Sequence, residues 1–600
     1  MLKNISIYLF LLTVAFGASN CSKKSLDQFP LDQISGQTYW NTEQDLQLYN
    51  NAVYPLYIVG FGTGFGDATL QPWGVTQAQI VYGDQITDNA APLNYSTVAA
   101  NQFIGYTKDG SGSDGWNFSN IRTLNYFLDN YQKAQLTDSI KHIYAGEIYF
   151  FKAWDYFEKV KLFGDVPWIT HVLSTNSPEL QAPRTPRAQV MDSVTALLDK
   201  AIAWLPAKGT TGWTDRLNKD AALHLKARIG LHEGTFRKYH GIADYQKFLT
   251  MAVQACETLM SSGHYSIYKY PSVADPYNQQ FGQYTYANNP EIILWKQYSA
   301  DVQLGVAFSR YFAQNLRAQF GVTRNLVDEY LCTDGNPIST SPLYNSANRG
   351  LITKEFANRD PRLAQTVAQY GTYELANTSI QGANNAPYPN LPGLSGNKCP
   401  TGYRLAKWFL NDPADWNRIT NGMQACPIFR YAETLLIYAE AKAELNQCDQ
   451  GVLDNTINKL RDRVGMPHLM IGTLPADPEL DAAYTQYCDY TPSPLLREIR
   501  RERRVELAFE NTRWDDLMRW KAGKFLNIPV LGMKFVQTEY PKLTPGKDLY
   551  VNETGYIEPY QKTMPGRNRV FDDRQYYFPI PIEDLTLNPN LVQNPGWLSK

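Results

Sequence analysis

The sequence predicts a mainly α-helical protein whose paired helices carry long, aromatic-rich loop insertions. Apolar residues recur at helical spacing in separate blocks, and short turns close the blocks. Between the blocks lie long stretches with little period. Residues 138–163 set Ile143, Ile148, Phe151, Trp154, Phe157 and Val160 around one apolar stripe, which Gly164 ends. Residues 188–205 stop at Leu205-Pro206, because a residue before proline is driven out of the helical region. Residues 218–236 and 244–262 make a further pair, the second closed by Ser262-Gly263. In 428–446, Tyr431, Leu435, Tyr438, Ala441 and Leu445 share a face, with Glu433, Glu440 and Glu444 elsewhere on the cylinder. A short helix at 453–464 and a long one at 494–522 complete the set.

Helix pairs of this length with short turns are similar to tetratricopeptide stacking, whose period is ~34 residues. The expected architecture is therefore a TPR-like scaffold with degenerate repeats. Residues 55–120, 265–290, 332–350, 370–425 and 525–575 interrupt it and are rich in Gly, Asn, Asp, Tyr and Trp. Loops so long are uncommon in a compact protein unless they form a functional surface.

Charge is nearly balanced, 56 Lys+Arg against 58 Asp+Glu, which removes the electrostatic reason to expect nucleic acid. The chain holds 40 Tyr and 13 Trp, rings with a polar tip that suit half-wet surfaces and sugar platforms. Lys3, the apolar run from Ile5 to Phe16 and the small residues before Cys21 form a secretory signal. The run is shorter than the ~20 residues a bilayer span needs. Cys21 stands where a lipoprotein signal places its lipidated cysteine, although Asn20 replaces the usual small residue before it. Cys256, Cys332, Cys399, Cys426, Cys448 and Cys488 show no CxxC pair and read as scattered thiols with at most one disulfide.

The segments Tyr39-Trp40-Asn41-Thr42-Glu43 and Asn51-Ala52-Val53-Tyr54 open the chain's helical part. Gly146-Glu147-Ile148 runs through Lys152-Ala153 to Phe163-Gly164-Asp165-Val166-Pro167, and Asn358-Arg359-Asp360-Pro361-Arg362 follows. Then come Arg430-Tyr431-Ala432-Glu433, Asn458-Lys459-Leu460-Arg461 and Glu502-Arg503-Arg504-Val505-Glu506-Leu507 with Arg513-Trp514-Asp515-Asp516-Leu517. Phe578-Pro579-Ile580-Pro581 and Gln593-Asn594-Pro595-Gly596 close the series. In this order, across essentially the whole mature chain, the motifs resemble the SusD/RagB family of outer-membrane nutrient-uptake lipoproteins of Bacteroidota.

The resemblance implies a signal peptide at 1–20 and a single binding domain at 21–600, with an N-terminal part to about 235 and a C-terminal part from about 236. It implies binding without catalysis, no cofactor and no metal. It also implies a nutrient ligand, a glycan before a peptide, passed to a SusC-like TonB-dependent transporter at the outer membrane. Read physically, the motifs are structural: Glu498, Glu502, Glu506 and Glu510 recur every four residues beside Arg501, Arg503 and Arg504, as in a helix laced with i, i+3 and i, i+4 ion pairs. Asn358-Arg359-Asp360-Pro361 reads as a turn. His224, His232 and Glu233 lie on one helix, the histidines two turns apart, and read as packing or surface residues. Gly60 to Gly66 lacks the GxGxxG spacing and reads as a loop.

No G-x-S-x-G, H-E-x-x-H, P-loop or EF-hand loop occurs. A secreted helical hydrolase or lyase would rest on a paired carboxylate that sequence does not single out. A TPR-like scaffold lipoprotein is the other alternative. For a glycan, ring faces stack on Trp and Tyr while hydroxyls need polar partners. Residues 71–95 supply both in Trp73, Gln77, Tyr82, Asp84, Asp88, Asn89 and Tyr95, and Trp116 follows. A second set is Tyr277, Gln280, Tyr284, Tyr286 and Asn288.

If Cys21 carries the lipid, Cys21→Ser moves the protein from the membrane to the soluble fraction, because the anchor is the buried acyl chain. Fractionation of the variant checks this; unchanged membrane retention contradicts anchoring through Cys21.

Overall fold

The computed structural model describes residues 39–62, 79–92, 115–269, 277–306, 320–369, 399–410, 421–560 and 569–597, with positions 308, 412–416 and 418. The signal segment, Cys21 and most of 370–425 lie outside the described residues.

Helix α1 (Glu43–Tyr57) starts at Thr42, whose hydroxyl accepts from the Asp45 N–H while Asp45 accepts from the Thr42 N–H at 2.8 Å. This capping box satisfies two donors that the first turn would otherwise leave unmade. Helices α2 (Ser119–Asn130) and α3 (Asp138–Phe163) follow, then α4 (Arg187–Trp204), α5 (Lys219–His240) and α6 (Tyr245–Ser261). Helix α3 has the bounds the periodicity predicts, and Gly164 ends it at φ 72°. Helices α3 and α4 pack as one pair and α5 and α6 as another. The second crossing is close: a Cβ at Gly230 would stand 2.8 Å from the Phe248 carbonyl oxygen, so glycine is needed there.

Two short helices, α7 (Arg324–Glu329) and α8 (Pro361–Thr366), precede α9 (Tyr431–Glu444). The chain continues through α10 (Gln450–Asn455), α11 (Ile457–Val464), α12 (Pro478–Tyr487), α13 (Pro494–Leu507), α14 (Arg513–Arg519) and α15 (Ile582–Leu587). Strand β1 (Ala90–Pro92) pairs antiparallel with β3 (Phe320–Val322). Strand β2 (Ile292–Lys296) pairs antiparallel with β4 (Cys426–Arg430). The main core draws on residues from Leu46 through Leu198, Leu259, Leu436 and Ile499 to Leu585. No helix among the described residues is long and apolar enough to cross a membrane.

Four predicted helices change by more than two residues. The 218–236 helix runs on to His240. The 428–446 helix begins at Tyr431, because Ile428, Phe429 and Arg430 belong to β4. The 453–464 helix breaks at Thr456, and helix α10 begins earlier, at Gln450. The 494–522 helix ends at Leu507, and Phe509 and Asn511 take left-handed φ values of 61° and 57°. Tertiary donors cause that stop: Lys407 Nζ donates to the carbonyls of Glu506 and Ala508, and Trp408 Nε1 to that of Phe509.

The charges of α13 are interior. Arg497, Glu498, Arg500, Arg501, Glu502, Arg503, Arg504 and Glu506 are all buried, and the expected i, i+3 and i, i+4 pairs largely give way to pairs with other elements. Glu502 meets Arg362 at 2.6 Å and Arg461 at 3.0 Å. Glu506 meets Arg430 at 2.8 Å, Arg362 at 3.1 Å and Arg463. Arg501 reaches Glu329 and Asp477, Arg503 reaches Asp516, and Arg500 reaches Glu444. Only Glu498–Arg501 follows the i, i+3 pattern within this helix. The Asn358–Arg362 motif serves the same network: Asp360 caps α8 and also pairs with Arg362 at 2.7 Å.

Burial pushes the Glu506 carboxyl up, but Arg463, Arg430 and Arg362 outweigh it and hold it well below the usual range. Burial likewise depresses His232, helped by Lys161 and Arg187, and takes His240 down to about 4. Both groups act with one sign. The unfolded chain binds more protons than the folded one below pH ~6.5 for the histidines, and below ~4.3 for Glu506. Stability is therefore present at neutral pH and falls on acidification, by up to ~1.4 kcal/mol per pH unit for each such group.

Denaturant unfolding at pH 7, 6, 5 and 4 should show this decline, and pH-independent stability contradicts it. Glu506→Gln leaves buried guanidiniums uncompensated and should cost about 3–5 kcal/mol at pH 7.

Candidate functional site

Among the described residues, the exposed aromatic of the expected ligand set is Tyr284, 36 % exposed in the segment that leads into β2. Its hydroxyl donates to Asp412 Oδ2 at 2.5 Å, and its carbonyl accepts from Gln297 Nε2 at 2.7 Å. Burial and the hydrogen bond to Asp412 raise the phenol above its ordinary range, so it remains a neutral donor. Asn288 is exposed on the same segment. The arrangement offers a ring and a set of amide and carboxylate groups, the two kinds of contact a sugar needs.

This segment is fixed from below. Tyr286 is buried with Ile292 and Ala425 and packs against Trp295. Gln280 is fully buried and accepts from Asn289 at 3.2 Å, while Asn289 Oδ1 accepts from the Glu291 N–H. Glu291, at the head of β2, pairs with Arg430 at 3.0 Å and Arg463 at 3.0 Å. At the far end of β2, Lys296 Nζ donates to the Val59 carbonyl at 2.9 Å, and Tyr298 donates to that of Gly62 at 2.9 Å. Phe61 stacks on Phe308 at 4.1 Å and shares a core with Ala90, Phe320 and Trp408. The phenol of Tyr560 donates to the Pro92 carbonyl at 3.1 Å. One core thus gathers Phe61, β1 and β3, and Tyr560 is tied to the end of β1.

The expected ligand residues divide. Trp73, Gln77 and Tyr95 lie outside the described residues. Tyr82 and Tyr277 lie in short helical turns, Gln79–Tyr82 and Tyr277–Gln280, and their side chains are outside the description. Tyr284 and Asn288 reach solvent, whereas Trp116, Gln280 and Tyr286 are interior. Trp116 meets Phe118 and Phe163 edge to face, as a packing residue does.

Asp84, Asp88 and Asn89 are also buried, and the fold pairs their polar atoms apart from Asp84 Oδ1. Asp84 accepts from Asn89 Nδ2 at 3.0 Å and from the Phe509 N–H at 2.7 Å, and burial pushes it up to about 6. Burial pushes Asp88 up too, but Arg504 and Arg513 outweigh it and hold it well below the carboxylate range. Arg513 grips Asp88 with two contacts of 2.8 Å, and Arg504 meets it at 3.0 Å. These side chains face arginines, not a ligand surface. Conversely, Gln297 and Asp412 stand beside Tyr284 without any local motif to announce them. His224 and His232 are buried; His224 bonds Glu433 at 3.0 Å and Thr434 at 2.9 Å. The six described cysteines are free thiols.

The architecture is that of a mainly helical protein whose irregular segments are held on buried charge. The chain belongs to the SusD family, whose model matches residues 290–597. A second model, described as starch-binding associating with outer membrane, matches 68–231. SusD-like protein P2 of Formosa agariphila is 22% identical, over 98% of this chain and 99% of the relative. SusD-like protein P25 of the same organism is 24% identical, over 99% and 98%. A SusD-like carbohydrate binding protein from Bacteroides fragilis superposes with a TM-score of 0.70 at 24% identity, covering 92% of this chain and all of that one. A laminarin-binding SusD-like protein gives 0.56 at 18% identity, with 93% and 100% covered.

If Asp88 is structural, Asp88→Ala strands Arg513 in the interior, leaves Arg504 with Glu329 as its carboxylate, and costs about 3–5 kcal/mol of stability. Urea unfolding measures it; a loss under ~0.5 kcal/mol, as at an ordinary surface site, contradicts this placement.

Proposed function

We propose that the protein binds a glycan without cleaving it, at the outer membrane and anchored through Cys21, and passes it to a TonB-dependent transporter. The observation that carries the glycan reading is the exposed Tyr284 ring, held by Asp412 and by Gln297 on its backbone, with Asn288 exposed on the same segment. Sugar C–H faces stack on such a ring while nearby polar side chains such as Asn288 take the hydroxyls. Family membership and the starch-binding, outer-membrane description of the N-terminal model support the same reading. So do the carbohydrate- and laminarin-binding relatives of like fold.

Binding without turnover suits this geometry, because Asp412 is committed to the Tyr284 hydroxyl and serves to hold the ring. Hand-over to a transporter follows from the family's nutrient-uptake role, and pull-down of a transporter barrel with the tethered protein tests that part separately. Tyr284→Ala should weaken glycan binding by about 1–3 kcal/mol, the scale of truncating an aromatic side chain at a binding hot spot. Its thermal midpoint should not fall, since the ring is exposed. Calorimetric titration against a polysaccharide panel and a melt read both quantities. A variant that melts early and binds normally when folded makes Tyr284 structural. Product release from any polysaccharide contradicts the non-catalytic reading.

A further inference from the structure

A cleft of about 160 Å³ opens between α3, α5, the start of α9 and the turn that links α13 to α14. It contains none of the Tyr284 surface residues. One wall is apolar: Trp154 and Tyr57, both half-buried, stand with Phe157 and Ile428. The Trp154 ring is braced by Phe150 and Phe429, with centroids 5.8 and 5.3 Å away. The helical stripe marks Trp154 as core, yet it lines this opening.

The polar lining includes Asn511 and Thr512, in the turn before α14, and Asp515, in the first turn of α14. Asn511 holds φ 57°, and its side chain lies so close to Gly83 that a Cβ there would collide with it. That turn is therefore fixed before any ligand arrives. Among the described residues, the Asn511 amide and the Thr512 hydroxyl make no hydrogen bond, and Asp515 uses only Oδ2, toward Lys161 at 2.7 Å. Most of the remaining charges are spent on each other, but the buried Arg503 Nη1 has no hydrogen-bond partner among the described residues. Arg228 grips Glu433, Arg503 and Arg519 share Asp516, and Glu510 accepts from Lys407 and Arg430. The lining thus carries four carboxylates against three guanidiniums, with one guanidinium N–H, on Arg503, unused.

We propose that this cleft is a second binding site, which takes a single neutral pyranose. The ring's C–H face lies on Trp154 and its hydroxyls meet Asn511, Thr512 and Asp515 Oδ1. Size sets the limit of one ring. At ~10–15 Å³ of such space per water, the cleft holds on the order of a dozen water-sized atoms. A uronic acid is disfavoured by the surplus of carboxylates on the lining. The inference stands whether or not the Tyr284 surface binds an oligomer.

The test is ligand-observed NMR of the purified full-length protein with methyl pyranosides of glucose, galactose, mannose and xylose, beside galacturonate. At least one neutral pyranoside should bind, and galacturonate should bind about tenfold more weakly or not at all, a difference of ~1.4 kcal/mol. Thr512→Val and Asp515→Asn should each weaken the neutral sugar by about tenfold, the cost of one lost hydrogen bond. Tyr284→Ala should leave intact the part of that binding which Thr512→Val removes. Asp515→Asn also loosens Lys161, so Thr512→Val, which keeps shape, decides if the former melts early. The proposal is overturned if no neutral pyranoside binds, if Thr512→Val binds as wild type, or if Tyr284→Ala abolishes binding. Loss of oligosaccharide binding alone in Tyr284→Ala would leave the cleft standing and concern only the surface.

Discussion

The fold hangs on the carboxylate of Glu506, which three arginines from three separate segments share in the interior. Arg362 comes from α8, Arg430 from the end of β4 and Arg463 from α11. Each guanidinium has a fixed fork, so one buried acid sets the relative positions of three elements. Arg430 and Arg463 then both reach Glu291, at the head of β2. The segment that presents Tyr284 is thereby anchored to α13 through two arginines. Elsewhere on the helix, Arg504 draws in Asp88, which anchors the strand that begins at Ala90.

Such a network is poor evidence for net stability. Desolvating paired ions costs about as much as their attraction returns, and apolar replacements of whole clusters are often neutral. Its effect is specificity. Irregular segments have few apolar contacts of their own, and a packed core alone would leave their register loose. Directional, desolvated hydrogen bonds leave one arrangement in which every charge is met. The helical pairs α3–α4 and α5–α6 need no such device, because apolar stripes and close glycine crossings already fix them.

This division explains what was legible in the sequence. Helix α3 could be read to the residue, since its period and its closing glycine are local signals. The break after Leu507 could not, because Lys407 and Trp408 impose it from across the fold. Ile428, Phe429 and Arg430 continue a helical period but pair with β2, a tertiary partner that overrides propensity. The same logic sorts the candidate site. Asp84, Asp88 and Asn89 have the composition of a sugar-binding loop, and arginines far along the chain turn them inward. Tyr284 keeps its exposure while Tyr286, two residues on, is buried, a distinction no composition carries.

The central claim is that buried charge, more than local packing, positions the segment that carries Tyr284. Amide hydrogen exchange across 284–298 in Glu291→Gln tests it most directly, because local opening reports on that segment alone. Removing this carboxylate should speed exchange there well before α3 and α4 change. Equal protection in 284–298 for variant and wild type, or a uniform loss over the whole protein, would contradict the account.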